Sequence, residues 1–144
     1  MPIVGPTGGA QAGFGSGGSF TGAAEALEYV GQHAYAYSGA VAVANSEVTL
    51  INFEIGNSLF VGTWSGYFNQ ASNAAIELDD YRFVLYLNGV QIMAIETSDS
   101  ASQNRNINRD LIIPPFTTVL ITCQNYSGTS SNNLAACMTG EIFK

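Results

Sequence analysis

Residues 81–97, YRFVLYLNGVQIMAIET, constrain the fold more than any other part of the sequence. Apolar and polar side chains alternate on both sides of the dipeptide Asn88-Gly89, as they do along two neighbouring β-strands. Asn-Gly is the preferred pair for a type I′ turn, whose twist matches that of the strands it connects. The stretch therefore predicts an antiparallel β-hairpin with its turn at Asn88-Gly89.

The same period of two recurs through most of the chain after residue 32. Alternating runs occupy residues 33–44, 47–55, 58–69, 81–97, 116–125 and 134–143. Pro114-Pro115 cannot lie in a central strand, so the chain is expected to turn there. From these runs we predict an all-β protein of about eight strands, arranged as an antiparallel two-sheet β-sandwich that resembles a jelly roll.

The beginning of the chain has a different composition. Residues 5–22 hold eight of the sixteen glycines. Ordering so many glycines costs more conformational entropy than contacts within the segment itself can offset. The apolar spacing in residues 21–30, TGAAEALEYV, predicts one short helix. We therefore divide the chain into a Gly-rich arm with this helix, residues 1–32, and a sandwich domain, residues 33–144.

The arm is expected to bind a partner protein, which would offset the cost of ordering it. Its larger apolar residues are the expected contacts: Pro6, Phe14, Phe20 and Leu27.

Charge excludes two classes of partner. The chain has four Lys and Arg against eleven Asp and Glu, a net charge of −7, whereas nucleic acids and anionic membrane surfaces require basic patches. No apolar run is long enough to cross a bilayer, and the N-terminus lacks the pattern of a signal peptide. We expect a protein made in the cytoplasm that binds neither nucleic acid nor membranes.

No combination of residues indicates catalysis or a cofactor. His33 is the single histidine, and no sequence pattern places a nucleophile beside it. Residues 13–18, GFGSGG, match a nucleotide-binding pattern, but no strand precedes them as that pattern requires. Glu77, Asp79 and Asp80 lack the spacing of a calcium loop. We predict a protein without enzymatic activity, bound metal or cofactor.

The sequence leaves open whether the two cysteines form a disulfide. If residues 118–125 and 135–143 paired as a hairpin, Cys123 and Cys137 would lie opposite each other and a disulfide could form. Synthesis in a reducing compartment favours free thiols instead.

Aromatic residues in the third run suggest a second kind of function. Trp64 and Tyr67 could form a platform on which sugar rings stack, with residues 69–80 and 98–110 as neighbouring loops. Aromatic residues in a sandwich strand also commonly belong to the core, and Tyr67 has the opposite parity to Trp64. Tyr67 is therefore the better candidate for an exposed position.

Residues 33–144 resemble the small jelly-roll structural proteins of tailed bacteriophages, the head decoration or cement proteins and related fibre modules. The segments that carry the resemblance are YAYSGAVAVANSEVTLINFEIG, YRFVLYLNGVQI, IIPPFT and the closing MTGEIF. The resemblance implies a virion protein that binds the major capsid protein or another virion protein, as a homo-oligomer and most simply a trimer. A carbohydrate- or receptor-binding module of a fibre or tail is the alternative that it implies.

Overall fold

The computed structural model of the chain describes residues 23–68, 81–97, 107–126 and 131–144. These residues form ten β-strands. The strands are β1 (Glu28–Val30), β2 (His33–Tyr37), β3 (Val41–Val43), β4 (Val48–Glu54), β5 (Leu59–Phe68), β6 (Tyr81–Leu87), β7 (Val90–Thr97), β8 (Ile107–Ile113), β9 (Thr118–Asn125) and β10 (Asn132–Phe143).

The strands form two antiparallel sheets, and the predicted all-β sandwich is confirmed. One sheet has the order β1-β2-β10-β5-β8, with β3 also paired to β10, and the other has the order β4-β9-β6-β7. From β4 onward the chain passes repeatedly from one sheet to the other. Without the short β1 and β3, each sheet has four strands, in the order of a jelly roll.

The hairpin predicted at Asn88-Gly89 is confirmed. β6 pairs with β7 in antiparallel register, and both turn residues have positive φ, 51° at Asn88 and 76° at Gly89, as a type I′ turn requires. The turn is also anchored to β9, because the side-chain oxygen of Asn88 accepts a hydrogen bond from the backbone N–H of Thr118.

The helix predicted over residues 21–30 is wrong for the part that the structure describes. Ala24 forms a parallel bridge with Ile51 at the edge of β4, and β1 then pairs with β2. Leu27 lies between these two contacts and is buried in the core. Backbone pairing with two sheet edges therefore overrides the weak helical propensity of so short a segment, and the sandwich begins before residue 33.

The hairpin considered as one alternative between residues 118–125 and 135–143 does not form. β9 lies between β4 and β6 in one sheet, whereas β10 lies between β2 and β5 in the other. Both cysteines are free: Cys123 is buried in the core, and the partly exposed Cys137 faces outward on β10. The alternating pattern of each strand was identified correctly, but alternation does not specify the partner strand.

Two groups of core residues pack around glycines, where the absence of a side chain leaves room for an aromatic ring. Gly62 and Gly140 lie opposite each other on β5 and β10, and the ring of Phe60 covers both. Phe83, from the other sheet, packs against Gly66 and lies 6.1 Å from Trp64 between ring centroids. Glycine thus allows large aromatic rings to lie directly against the backbone of β5.

Within the described ranges the chain forms no helix long and apolar enough to cross a membrane.

Candidate functional site

The outer surface of the six-stranded sheet carries a group of tyrosines beside small polar side chains. Residues paired across antiparallel strands share a face, so the register brings these outward side chains together in two rows. One row is Tyr37, Cys137, Ser65 and Asn108, and the next is Tyr35, Thr139, Thr63 and Asp110. Tyr67 follows Ser65 on β5. We refer to these nine residues as the tyrosine face.

The aromatic rings of the tyrosine face are held in place before any ligand binds. Tyr35 and Tyr37 are stacked, with ring centroids 5.2 Å apart and an angle of 28° between the planes. The thiol of Cys137 lies 3.5 Å from the hydroxyl oxygen of Tyr67. Because Cys137 belongs to the neighbouring row, the ring of Tyr67 leans along the sheet toward β10.

The phenol of Tyr67 stays protonated at neutral pH. Its pKa is raised above the ordinary value of 10.0, mainly through the hydrogen bond with Cys137, while the hydrogen bond with Ser65 acts in the opposite direction. A neutral phenol with an accessible ring offers an electron-rich face for stacking and a hydroxyl for hydrogen bonding.

Polar groups border the rings on the side of β8. The hydroxyl of Ser65 donates to the side-chain oxygen of Asn108, and that of Thr63 donates to Oδ1 of Asp110 at 2.9 Å. Both acceptors lie on an edge strand, where they are exposed to solvent. Among the described residues, Nδ2 of Asn108 and Oδ2 of Asp110 have no hydrogen-bond partner. One donor and one charged acceptor thus remain for a ligand.

The tyrosine face lies toward the end of the sandwich at which the long connections leave the sheets. β5 ends at Phe68, β8 begins at Ile107, and β10 begins at Asn132 at this end. The side-chain amide of Asn132 donates to the hydroxyl of Tyr81, which places the start of β6 at the same end. The described ends of β5, β6, β8 and β10 therefore share this end of the sandwich.

Of the two residues predicted to form an aromatic platform, only Tyr67 is accessible. Its side chain is 37% exposed, whereas Trp64 is 0% exposed and packs against Phe83. Trp64 is a core residue because its position on β5 faces the other sheet, and a buried indole cannot stack on a ligand at the surface.

Of the residues predicted to bind a partner protein, the structure describes only Leu27. Leu27 is buried in the core of its own chain, so its side chain is not available to a partner. Pro6, Phe14 and Phe20 lie outside the described residues, as do Glu77, Asp79 and Asp80. The contacts predicted for the arm therefore remain predictions.

Sequence reasoning identified Tyr67 and missed the other eight residues of the tyrosine face, among them two tyrosines and two polar residues of β8. Tyr35 and Tyr37 were identified as one side of a strand but not as neighbours of Tyr67, because β10 lies between β2 and β5 and comes from the end of the chain. Asn108 and Asp110 were assigned to a loop that was predicted to extend through residue 110. In the structure β8 begins at Ile107 and carries both residues. The apolar residues at 107, 111 and 113 were the available signal.

An apolar row crosses the same sheet nearer its other end. It contains Val30, Val61 and Ile112, with His33 and Glu141 between the valines. Ile112 is 68% exposed, and it lines a shallow groove of about 420 Å³ together with its cross-strand partner Val61. The outer face of this sheet therefore has a tyrosine-rich part and an aliphatic part.

The outer face of the four-stranded sheet carries polar and charged side chains that interact with one another. Arg82 forms an ion pair with Glu96 and lies 5.3 Å from the ring centroid of Tyr126. Glu47 accepts hydrogen bonds from the hydroxyls of Thr122 and Tyr86, at 2.6 and 3.1 Å. Polar groups of this face therefore bind one another. No group of three or more potential metal ligands occurs in the described part of the chain.

Comparison with known proteins adds a similarity of architecture. No known protein family matches the sequence. No characterised protein matches it either. Among solved structures, a family 35 carbohydrate binding module from an environmental isolate is similar, with a TM-score of 0.48 and 13% sequence identity over 89% of this chain and 93% of that chain.

Proposed function

We propose that this protein is a binding module without catalytic activity, and that it binds carbohydrate on the tyrosine face. The observation that carries the proposal is the set of exposed tyrosine rings already fixed by internal contacts and bordered by Asn108 and Asp110. Sugars bind such surfaces because their C–H groups pack against aromatic rings while their hydroxyls bind amides and carboxylates. Rings that are ordered in advance lose little conformational entropy on binding.

The proposal predicts a specific effect of removing the ring of Tyr67. Tyr67→Ala is expected to weaken binding to a glycan about 5- to 150-fold, the range for loss of one stacked aromatic contact of ~1–3 kcal/mol. Tyr67→Phe keeps the ring and is expected to lose less than about tenfold, because only the hydroxyl contacts are removed. A glycan array identifies the ligand, and isothermal titration calorimetry measures the affinities.

Tyr126→Ala serves as the matched control, because it removes a tyrosine of similar exposure from the other sheet. Its affinity should equal that of the unmodified chain. Equal affinities of Tyr67→Ala and Tyr126→Ala for a bound glycan would contradict the assignment of the tyrosine face. An array on which the unmodified protein binds nothing would contradict carbohydrate binding altogether.

The aliphatic part of the same sheet favours a second candidate. We also propose, as this alternative, a structural protein of a virus particle, made in the host cytoplasm, that binds the major capsid protein as a homotrimer. The exposed row of Val30, Val61 and Ile112 suits a protein surface better than a sugar. Residues 1–22 would supply further contacts through Pro6, Phe14 and Phe20.

Sedimentation tests this alternative. The full chain is expected to sediment as a trimer and to bind purified heads of tailed phages, whereas deletion of residues 1–22 should abolish head binding without loss of the fold. Ile112→Asp should weaken the same interaction because it places a charge in an apolar contact. A full chain that is monomeric and sediments separately from the heads would contradict the virion proposal.

A further inference from the structure

We infer that the ligand of the tyrosine face is an extended, uncharged oligosaccharide that crosses β10 between Tyr37 and Tyr67, not a single sugar and not an acidic glycan. This inference rests on the proposed function and specifies the class of ligand. It follows from two independent features of the face, the separation of its rings and the sign of the charges around them.

The rings are spread over a width that suits a ligand of several sugar units. Tyr35 and Tyr37 project from β2 and Tyr67 projects from β5, with β10 between them. The backbones of β2 and β5 are two strand spacings apart, roughly 10 Å, and the hydroxyl of Tyr67 reaches toward β10, 3.5 Å from the thiol of Cys137. The outward side chains of β10 at this level are small, namely Ala135, Cys137 and Thr139. A chain of sugars can therefore pass over β10 and contact aromatic rings on both sides of it.

The charges around the face disfavour an acidic ligand. Carboxylates border the face on two sides: Glu28 is paired with Tyr35, Asp110 is paired with Thr63, and Glu141 lies one row beyond. A uronate or sulfate would be repelled by these groups, whereas sugar hydroxyls can donate hydrogen bonds to them.

The cationic side chains of the described residues are poorly placed to offset the repulsion between these carboxylates and an acidic ligand. Arg109 is on the edge strand and donates to the backbone carbonyl of Asn108, and Arg82 is paired with Glu96 on the opposite sheet. His33 lies in the apolar row, and Lys144 follows the last strand at the end distant from Tyr67. Among the described residues, an anionic glycan would therefore meet carboxylates on the tyrosine face without a facing cation to pair with them.

The test compares chain length and charge in one experiment. Cello- and manno-oligosaccharides from monomer to hexamer, and oligogalacturonates of the same lengths, are titrated into the full chain at low and high salt. The neutral hexamer of at least one series is expected to bind about tenfold or more tightly than its monomer, because it adds a second aromatic contact. Acidic hexamers are expected to bind more weakly than that neutral hexamer, most markedly at low salt.

Two variants test ring placement and charge separately. Tyr37→Ala should remove most of the gain in affinity from monomer to hexamer, while Tyr126→Ala should retain that gain. Asp110→Asn should improve binding of the acidic hexamer at low salt by reducing the repulsion. Tighter binding of acidic than of neutral hexamers, or equal binding of monomer and hexamer, overturns this inference and leaves the tyrosine face as a carbohydrate site. Binding of none of these sugars, together with an array without a ligand, overturns the proposed function as well.

Discussion

Replacing Gly140 by alanine is expected to destabilise the protein by more than about 3 kcal/mol, a large part of the roughly 5–15 kcal/mol that stabilises a typical domain. A β-carbon at this position would overlap the carbonyl oxygen of Val61 and the α-carbon of Gly62, as well as the ring of Phe60. The first two are backbone atoms of the paired strand, so they can move only if β5 and β10 separate. Ordinary overpacking costs less because side chains can change rotamer.

Urea unfolding measures this effect directly. Trp64 is the only tryptophan and is fully buried, so its fluorescence reports loss of the core. Gly62→Ala should behave like Gly140→Ala, since its β-carbon would enter the same gap from the opposite strand. Gly56→Ala is the control, because a β-carbon there has open space and the residue has no positive φ. It should change stability by less than about 1 kcal/mol. Equal midpoints for Gly140→Ala and Gly56→Ala would show that the paired glycines are not required.

The buried thiol of Cys123 is expected to make the protein progressively less stable above pH 9. Burial raises the pKa of Cys123 from its ordinary value of 9.0 to about 12. Below pH 9 the thiol is protonated in both states and has no effect of this kind. Between the two pKa values the unfolded chain loses the proton and the folded chain keeps it, so alkaline pH favours unfolding. The loss is about 1.4 kcal/mol for each pH unit in that window.

The measurement compares unfolding free energies of the unmodified chain and of Cys123→Ala at several pH values between about 8 and 11. Cys123→Ala is less stable at neutral pH because it leaves a small cavity. Its stability should fall less steeply with pH, and the difference isolates the thiol from the tyrosines that titrate in the same range. Cys137→Ala should retain the steep decline. Parallel curves for the unmodified chain and Cys123→Ala would contradict the assigned shift.

The local parts of the fold could be predicted from the sequence because they depend on neighbouring residues. The turn at Asn88-Gly89 needs two residues that tolerate positive φ, and β8 ends at Ile113, directly before Pro114-Pro115, whose nitrogens have no hydrogen to donate to another strand. The partner of each strand was harder to predict. Cys123 and Cys137 lie on strands whose patterns fit a hairpin, yet the jelly-roll order places them in separate sheets. Alternation defines which side chains face the core, and it is the same whichever sheet the strand joins.

The candidate site could be predicted in part for the same reason. The parity of Tyr67 was sufficient to separate it from the buried Trp64, because adjacent outward and inward positions alternate along one strand. Tyr37 and Asn108 could not be assigned to the same site, since their proximity depends on β10 and β5 lying between β2 and β8. The helix prediction over residues 21–30 failed for a related reason. Ala24 pairs with Ile51 of β4, a strand that comes later in the chain.

The bridge between Ala24 and Ile51 also determines how the molecule can be attached to other objects. Ala24 meets the edge of β4, in the four-stranded sheet, whereas the tyrosines project from the outer surface of the six-stranded sheet. A bead, sensor surface or fused protein joined directly to residue 23 would therefore be tethered at the edge of the opposite sheet. Immobilisation at that point should leave the tyrosine-bearing surface open, which suits the protein to use as an oriented capture reagent.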